Sequence, residues 1–216
     1  MDILQKIDEV IQSEIDSKTH RNYLGASSLG EPCDRKLWYS YKRPKNDHDP
    51  RIQRIFDMGN MVEEYLIGLL KKSGFTLFTH DENGKQFGFD DFPIMGNSDG
   101  VIILDDVPHL IEFKSYNEKR FNELSKSGVM NSDPTYYSQV CVYMEKMDLD
   151  RCMFMAICKN DSRIHIEFIE SDPIEAHYCI NRGHSIAKME VEPERKYSSI
   201  SHFKCKMCSW KKECWK

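Results

Sequence analysis

No run among the 216 residues approaches the ~18–20 consecutive apolar residues of a membrane-spanning helix, so no span is expected. The opening MDILQKIDEV lacks the apolar segment of a secretory signal, which points to the cytoplasm. An excess of positive charge is missing too: 30 Lys and Arg stand against 35 Asp and Glu, for a net −5. That excludes a protein that holds nucleic acid by bulk charge, though not one that uses a local basic groove. Repeats and low-complexity tracts are absent. With 40% apolar and 11% aromatic residues, the chain is no disordered tail. Its length suits one domain with a sizeable core. What is plentiful is cysteine, at positions 33, 141, 152, 158, 179, 205, 208 and 214. Disulfides are rare in the cytoplasm, so these thiols call for another explanation.

Apolar spacing predicts helices over residues 2–18, from about 33, over 50–72, 118–128 and 134–147, and over 172–190. Ser73-Gly74 ends the third of these, and Pro134 sits in the first turn of the fifth. Alternation predicts strands near 75–80, 84–90, 94–104, 109–116, 151–159 and 163–170. That order implies an α/β architecture, a mixed sheet flanked by helices.

The most informative stretch runs from Met95 to Lys114. Side chains alternate faces along a strand, so Glu112 and Lys114 share a face with Leu110. A four-residue hairpin loop at 105–108 would set Asp99 opposite Lys114 and Val101 opposite Glu112. A two-residue slip would keep the three charged groups on one face; a one-residue slip would separate them. Two carboxylates and a lysine on an apolar strand pair are costly to bury without a purpose. A hard divalent cation such as Mg²⁺ or Mn²⁺ supplies one, since it binds carboxylate oxygens and serves phosphoryl chemistry. The lysine could orient or deprotonate an attacking water, or neutralise developing charge. Acidic-x-Lys alone is a weak signal that occurs four times here; only Glu112-Phe113-Lys114 sits in an apolar strand.

Gly96-x-x-Asp99-Gly100 followed by Glu112-Phe113-Lys114 resembles the core of the PD-(D/E)XK nuclease superfamily in its RecB-like branch. The branch typically opens its site on a helix with Gly-x-x-x-His-Glu; the matching segment is Gly59-Asn60-Met61-Val62-Glu63-Glu64. A glutamate thus replaces the histidine, and Glu63 is favoured over Glu64 as the ligand. The resemblance implies a restriction-endonuclease-like fold. It implies Mg²⁺ or Mn²⁺ held by Glu63, Asp99, Glu112 and the Phe113 carbonyl, with catalysis by Asp99, Glu112 and Lys114. Gln139-x-x-x-Tyr143 matches a further helical motif of the branch, whose side chains support the site or contact DNA.

Cys205-x-x-Cys208-x₅-Cys214 has the spacing of a metal-ligand set with one ligand missing. Cys33 follows a loop and is one candidate; His202 and the other cysteines are others. Cys141, Cys152, Cys158 and Cys179 lie in apolar patterns and read as core. A cysteine near the N-terminus paired with a distant C-x₂-C-x₅-C resembles the iron–sulfur arrangement of AddB-type helicase–nucleases and the CRISPR-associated RecB-like exonucleases. By that resemblance Cys33, Cys205, Cys208 and Cys214 hold a [4Fe–4S] cluster. Zinc is the alternative, since it also takes four thiolates.

Charge is uneven. Residues 18–45 carry seven basic and two acidic side chains; residues 195–216 carry seven and one. Joined by a cluster, and with Trp38, Tyr39, Tyr41, Trp210 and Trp215 among them, they predict a surface for single strands. Arg35 and Lys36 are its candidate DNA contacts. The expected organisation is one nuclease domain over 1–216. Residues 50–190 form its core, and 24–45 and 195–216 together form a metal-cluster lobe.

The leading function is a Mg²⁺- or Mn²⁺-dependent deoxyribonuclease, an exonuclease on single-stranded DNA ends; a compact free-standing form would suit a phage enzyme. The alternative is a catalytically silent DNA-binding or adaptor module with a zinc or iron–sulfur site. A zinc-binding interaction protein is a third reading, which leaves the triad unexplained. Cleavage polarity and oligomeric state leave no mark in the sequence.

Overall fold

The computed structural model describes residues 2–43 and 48–216. Lys45, one of the predicted basic side chains, lies outside them. The N-terminal part contains α1 (Ile3–Ser17), β1 (Leu24–Gly25), α2 (Ala26–Leu29), α3 (Asp34–Lys42) and α4 (Pro50–Lys72). Next come β2 (Thr76–Phe78), β3 (Gly88–Asp91), β4 (Ile94–Asn97), β5 (Gly100–Leu104) and β6 (Val107–Tyr116). Then follow α5 (Glu118–Ser132), α6 (Pro134–Met147), β7 (Arg151–Cys158), β8 (Ile164–Glu170) and α7 (Pro173–Lys188). Two one-turn helices, α8 (Phe203–Lys206) and α9 (Lys211–Cys214), lie in the C-terminal segment. None of the described helices is long and apolar enough to cross a membrane.

The main sheet has the order β2-β5-β6-β7-β8, antiparallel except for the parallel pair β6/β7. A smaller sheet has the order β1-β4-β3. Helices flank the strands, as the sequence predicts. Period-2 alternation divides the core between the two sheet faces. On one, Leu110, Tyr116, Phe154, Ala156 and Cys158 pack with Val140, Tyr143 and Met144 of α6. On the other, Ile111, Phe113, Met153 and Met155 pack with Leu66 and Leu70 of α4. β7 is buried along both faces, which explains its unbroken apolar sequence.

α4 spans the predicted residues because its ends are marked chemically. The Asp49 carboxylate accepts from the Ile52 N–H at 3.0 Å, Pro50 opens the first turn, and Gly74 beyond the end takes φ +87°. Two strand expectations need correction. The predicted strand 94–104 is two strands in different sheets, broken at Ser98-Asp99. The hairpin loop is Asp105-Asp106 alone, not 105–108, with φ of 49° and 62°. Left-handed backbone at both positions makes a two-residue turn that matches strand twist. Val107 and Pro108 therefore belong to β6 and pair with Leu104 and Ile103.

Candidate active site and cysteine lobe

The corrected register is a two-residue shift, so the charged side chains stay on one face. Pairing ends at Gly100 opposite Ile111, one step short of placing Asp99 beside Glu112. Beyond that end the Phe113 N–H is taken by the side chain of Asp99, whose Oδ2 accepts at 2.7 Å. Asp99 is delivered there by the break between β4 and β5. The loop before β3 fixes the break: Ser98 N donates to Phe87 O at 2.8 Å, and Gln86 Nε2 to Ser98 O at 3.0 Å.

Glu112 and Lys114 point to the sheet face covered by α6. Glu112 is 1% exposed. Its Oε1 accepts from Lys114 Nζ and, at 2.7 Å, from Gln139 Nε2. Its Oε2 is buried with no hydrogen-bond partner, as is Gln139 Oε1. Lys114 also lies over the Tyr136 ring, 4.7 Å from the centroid. Glu63, on α4, reaches the same place, where its charge interacts with those of Asp99 and Lys114. Glu64 is exposed and lies outside the cleft.

The electrostatics follow from burial. Desolvation, then the charge of Asp99, pushes Glu63 up from 4.5 to about 7. Desolvation foremost, with Asp99 next, also raises Glu112, and desolvation raises Asp99. Burial works against charge on Lys114, but Glu112 and Asp99 outweigh it and hold the pKa above the ordinary lysine value. The lysine is therefore an ammonium near neutral pH. In the metal-free protein that state serves two of the three roles open to the lysine from sequence, charge stabilisation and orientation.

Gln139 and Tyr143 are buried within the protein rather than presented to a ligand. Gln139 holds Glu112, and Tyr143 OH donates to Asn97 O at 2.6 Å, bracing the strand that ends at Asp99. Gly96 makes room for that tyrosine. A Cβ there would stand 2.8 Å from the Tyr143 ring and hydroxyl and 2.9 Å from Ala26 Cβ. Gly96→Ala should therefore cost about 1–3 kcal/mol in urea unfolding by overpacking; wild-type stability would refute this packing.

The site opens into a cleft of about 990 Å³. Glu63, Asp99, Phe113 and Lys114 line it together with Lys18, Arg21, Arg120, Lys159 and His48. The ring of Phe113 is in the core, so the residue borders the cleft from the strand. Lys18 and Arg21 belong to the basic segment 18–45 read from sequence, whereas Arg120 and Lys159 are scattered single charges that only folding gathers.

The second constellation joins the chain ends. Cys33 caps α3, Cys205 and Cys214 lie in α8 and α9, and Cys208 lies between those helices. All four line one small cavity of about 40 Å³ with Lys36, Tyr39 and Trp210. None is disulfide-bonded, and Cys141, Cys152, Cys158 and Cys179 are buried in the core as expected. Among the described residues, no three His, Cys, Asp or Glu side chains are drawn together tightly enough to grip one metal ion. Four soft thiols facing a shared cavity nevertheless suit a group of some size, and the hard oxygens around Glu112 suit a divalent cation.

Arg35 departs from its expected role. It is 9% exposed, and its Nε donates to Pro193 O at 2.5 Å. It pairs with Glu192 at 3.0 Å, and its Nη1 lies 3.8 Å from Cys214 Sγ. It ties the terminal segments together inside the protein, where no DNA can reach it. Lys36 pairs with Glu31 at 2.6 Å on the cavity rim. The predicted aromatic surface is likewise corrected. Trp38, Tyr39 and Trp210 are buried, Tyr39 and Trp210 stacking at 5.5 Å, while Tyr41 and Trp215 are half-buried.

No protein-family model matches the chain. No curated protein matches it either. Solved structures do. The chain is similar to the crystal structure of SSO0001 (TM-score 0.56, 16% identity, 99% of this chain and 96% of that one). It is similar to an alkaline exonuclease from Laribacter hongkongensis (0.54, 15%, 84% and 90%). It is also similar to a phage-related exonuclease from Haemophilus somnus (0.54, 17%, 79% and 93%). The likeness is one of fold, a restriction-endonuclease-like mixed α/β architecture.

Proposed function

We propose that the chain is a Mg²⁺- or Mn²⁺-dependent deoxyribonuclease, an exonuclease that takes single-stranded DNA ends. One observation carries this reading. Glu63, Asp99 and Lys114 meet in a cleft lined with basic side chains, and behind them Glu112, bonded to Lys114, keeps a buried oxygen with no hydrogen-bond partner among the described residues. A buried carboxylate with a spare lone pair wants a cation. The names of two similar structures, both exonucleases, add support.

Glu63, Asp99, Glu112 and the Phe113 carbonyl would hold the cation, which supplies a Lewis acid for the phosphoryl oxygens and an activated water. Asp99 keeps the end of β6 in place through the Phe113 N–H. Gln139 fixes the rotamer of Glu112. The Lys114 ammonium sits where negative charge grows on the phosphate as the bond to the leaving oxygen lengthens. Lys18, Arg21 and Lys159 attract the phosphate backbone. We take residues 1–216 as one nuclease domain with its core in 50–190. Segments 24–45 and 195–216 form a lobe whose four cysteines carry a structural [4Fe–4S] cluster of the RecB-like type. The cavity shared by the four thiols suits either metal centre, and the choice of a cluster over zinc rests on the resemblance of the cysteine pattern to the RecB-like arrangement.

The deciding experiment incubates anaerobically purified protein with end-labelled single- and double-stranded DNA and Mg²⁺ or Mn²⁺. Progressive shortening of the single strand is expected. DNA that binds and stays whole with both metals would leave the adaptor reading standing.

Cation binding should be linked to protons. Between about pH 5 and 7, folded Glu63 keeps a proton that the unfolded chain has lost. The metal-free protein therefore loses stability as pH rises through that window. A cation binds the ionised form, so its affinity rises over the same window and levels off above it. Thermal unfolding with and without Mg²⁺ checks this: the metal-induced rise in Tm should be larger at about pH 8 than at about pH 5.5. An equal rise at both would remove Glu63 from the ligand set.

A further inference from the structure

Among the described residues that line the cleft, one aromatic side chain is exposed, and the metal chemistry leaves it unused. α4 sends Gln53, Phe56, Asn60 and Glu63 into it at helical spacing. Phe56 is 52% exposed. A phenyl ring half in water gains less for the fold than a buried one. His48 meets it edge-on at 5.4 Å and 68°, so it does not stack on the Phe56 face. Between Phe56 and Glu63 lies Gly59, where an added Cβ would meet nothing within 4 Å. The helix surface is thus open from the ring to the carboxylate. Seven residues at ~1.5 Å rise separate them by about 10 Å. That spans at most about three nucleotides, the number reached at the ~3.4 Å step of fully stacked bases.

We propose that Phe56 is a stacking platform for an unpaired base within about three nucleotides of the scissile phosphate. The inference rests on the nuclease reading and names its substrate. In a duplex both faces of each internal base are covered by its neighbours, so a ring in this position selects a single or splayed strand. Lys18, Arg21 and Lys159 line the same cleft and can follow the backbone while the ring takes the base. Single-strand selectivity is then built beside the carboxylates, not on Trp38, Tyr39 and Trp210, which are packed inside.

The test uses the full chain with Ca²⁺ in place of Mg²⁺, so that DNA binds without being cut. Single strands carry 5-iodouracil at successive positions from the end, and the cross-linked peptide is identified by mass spectrometry. Cross-linking at Phe56, strongest within about three nucleotides of the bond cut in Mg²⁺, is expected. In Mg²⁺, Phe56→Ala should raise KM for single strands at least about fivefold, with kcat changed little, and Phe56→Trp should restore it. Cross-links at other residues, or an unchanged KM in Phe56→Ala, would overturn the proposal while leaving the nuclease reading intact. Cross-linking at Phe56 in a protein that cleaves nothing would keep the platform and sink the nuclease reading.

Discussion

Lys114→Ala should lower kcat for DNA cleavage about a hundred- to a thousandfold, with KM for DNA nearly unchanged. The size follows from where the ammonium stands. It bonds Glu112, lies over the Tyr136 ring and keeps its proton near neutral pH. Its charge is therefore in place before the phosphate arrives and costs no reorganisation when negative charge develops. The substitution has a second consequence inside the site. Burial and Asp99 already raise the pKa of Glu112, and Lys114 is the group that opposes them. Without it the carboxyl holds its proton to higher pH. The pH–rate profile of any residual activity should therefore move upward, and a merely structural lysine would not produce that shift. Lys114→Arg keeps the charge but replaces a point donor with a planar fork, so it should recover only part of the rate. Cleavage by Lys114→Ala at the parental rate would remove the lysine from the mechanism. Circular dichroism of the variant should match the parent, because Leu110 and Tyr116 hold the same face of β6 in the core.

The site was legible in the sequence because strand alternation tolerates the error made in reading it. Counting Val107 and Pro108 as loop misplaced the hairpin by two residues, which preserves the face on which every side chain falls. The true turn depends on Asp105 and Asp106 both adopting left-handed backbone, for which Asp is only a weak signal beside Asn-Gly. The break at Ser98-Asp99 was illegible for a different reason. Residues 94–104 alternate as one strand would, and the change of sheet is imposed by Gln86 and Phe87, which are remote in sequence. α4 could be read to its ends because Asp49, Pro50 and Gly74 act locally. Surface roles fared worst. Trp38, Tyr39, Trp210 and Arg35 have a composition suited to DNA, yet they are satisfied by one another, by Met189, by Glu192 and by Pro193. Whether an aromatic or basic side chain faces solvent is decided by partners more than 150 residues away in the chain. Phe56 shows the converse: an aromatic side chain on a packed helix that the fold leaves exposed in the cleft.

The other large effect is expected at Cys208. From Met189 to the C-terminus the described chain has two helices of four residues each and a single buried side chain, Trp210. Helices that short do not hold themselves in water. The Tyr39–Trp210 stack contributes about 0.5–1.5 kcal/mol. The Arg35–Glu192 pair is partly exposed and adds a similar amount. A structural metal on four thiolates is worth about 10 kcal/mol or more, by analogy with zinc-finger peptides. If the cluster is bound, it dominates the docking of residues 195–216. Cys208→Ser should then lose the iron and the broad visible absorption together, and that tail should become the first site of limited proteolysis. The rest of the fold should persist, because both faces of the main sheet are packed by elements between α2 and α7. Cys158→Ser, in the core, should keep the iron and lose only stability. Stoichiometric zinc in a colourless parent protein would replace the cluster by zinc and leave the four ligands as they are. A Cys208→Ser protein that keeps its metal and its protease resistance would instead break the ligand set itself.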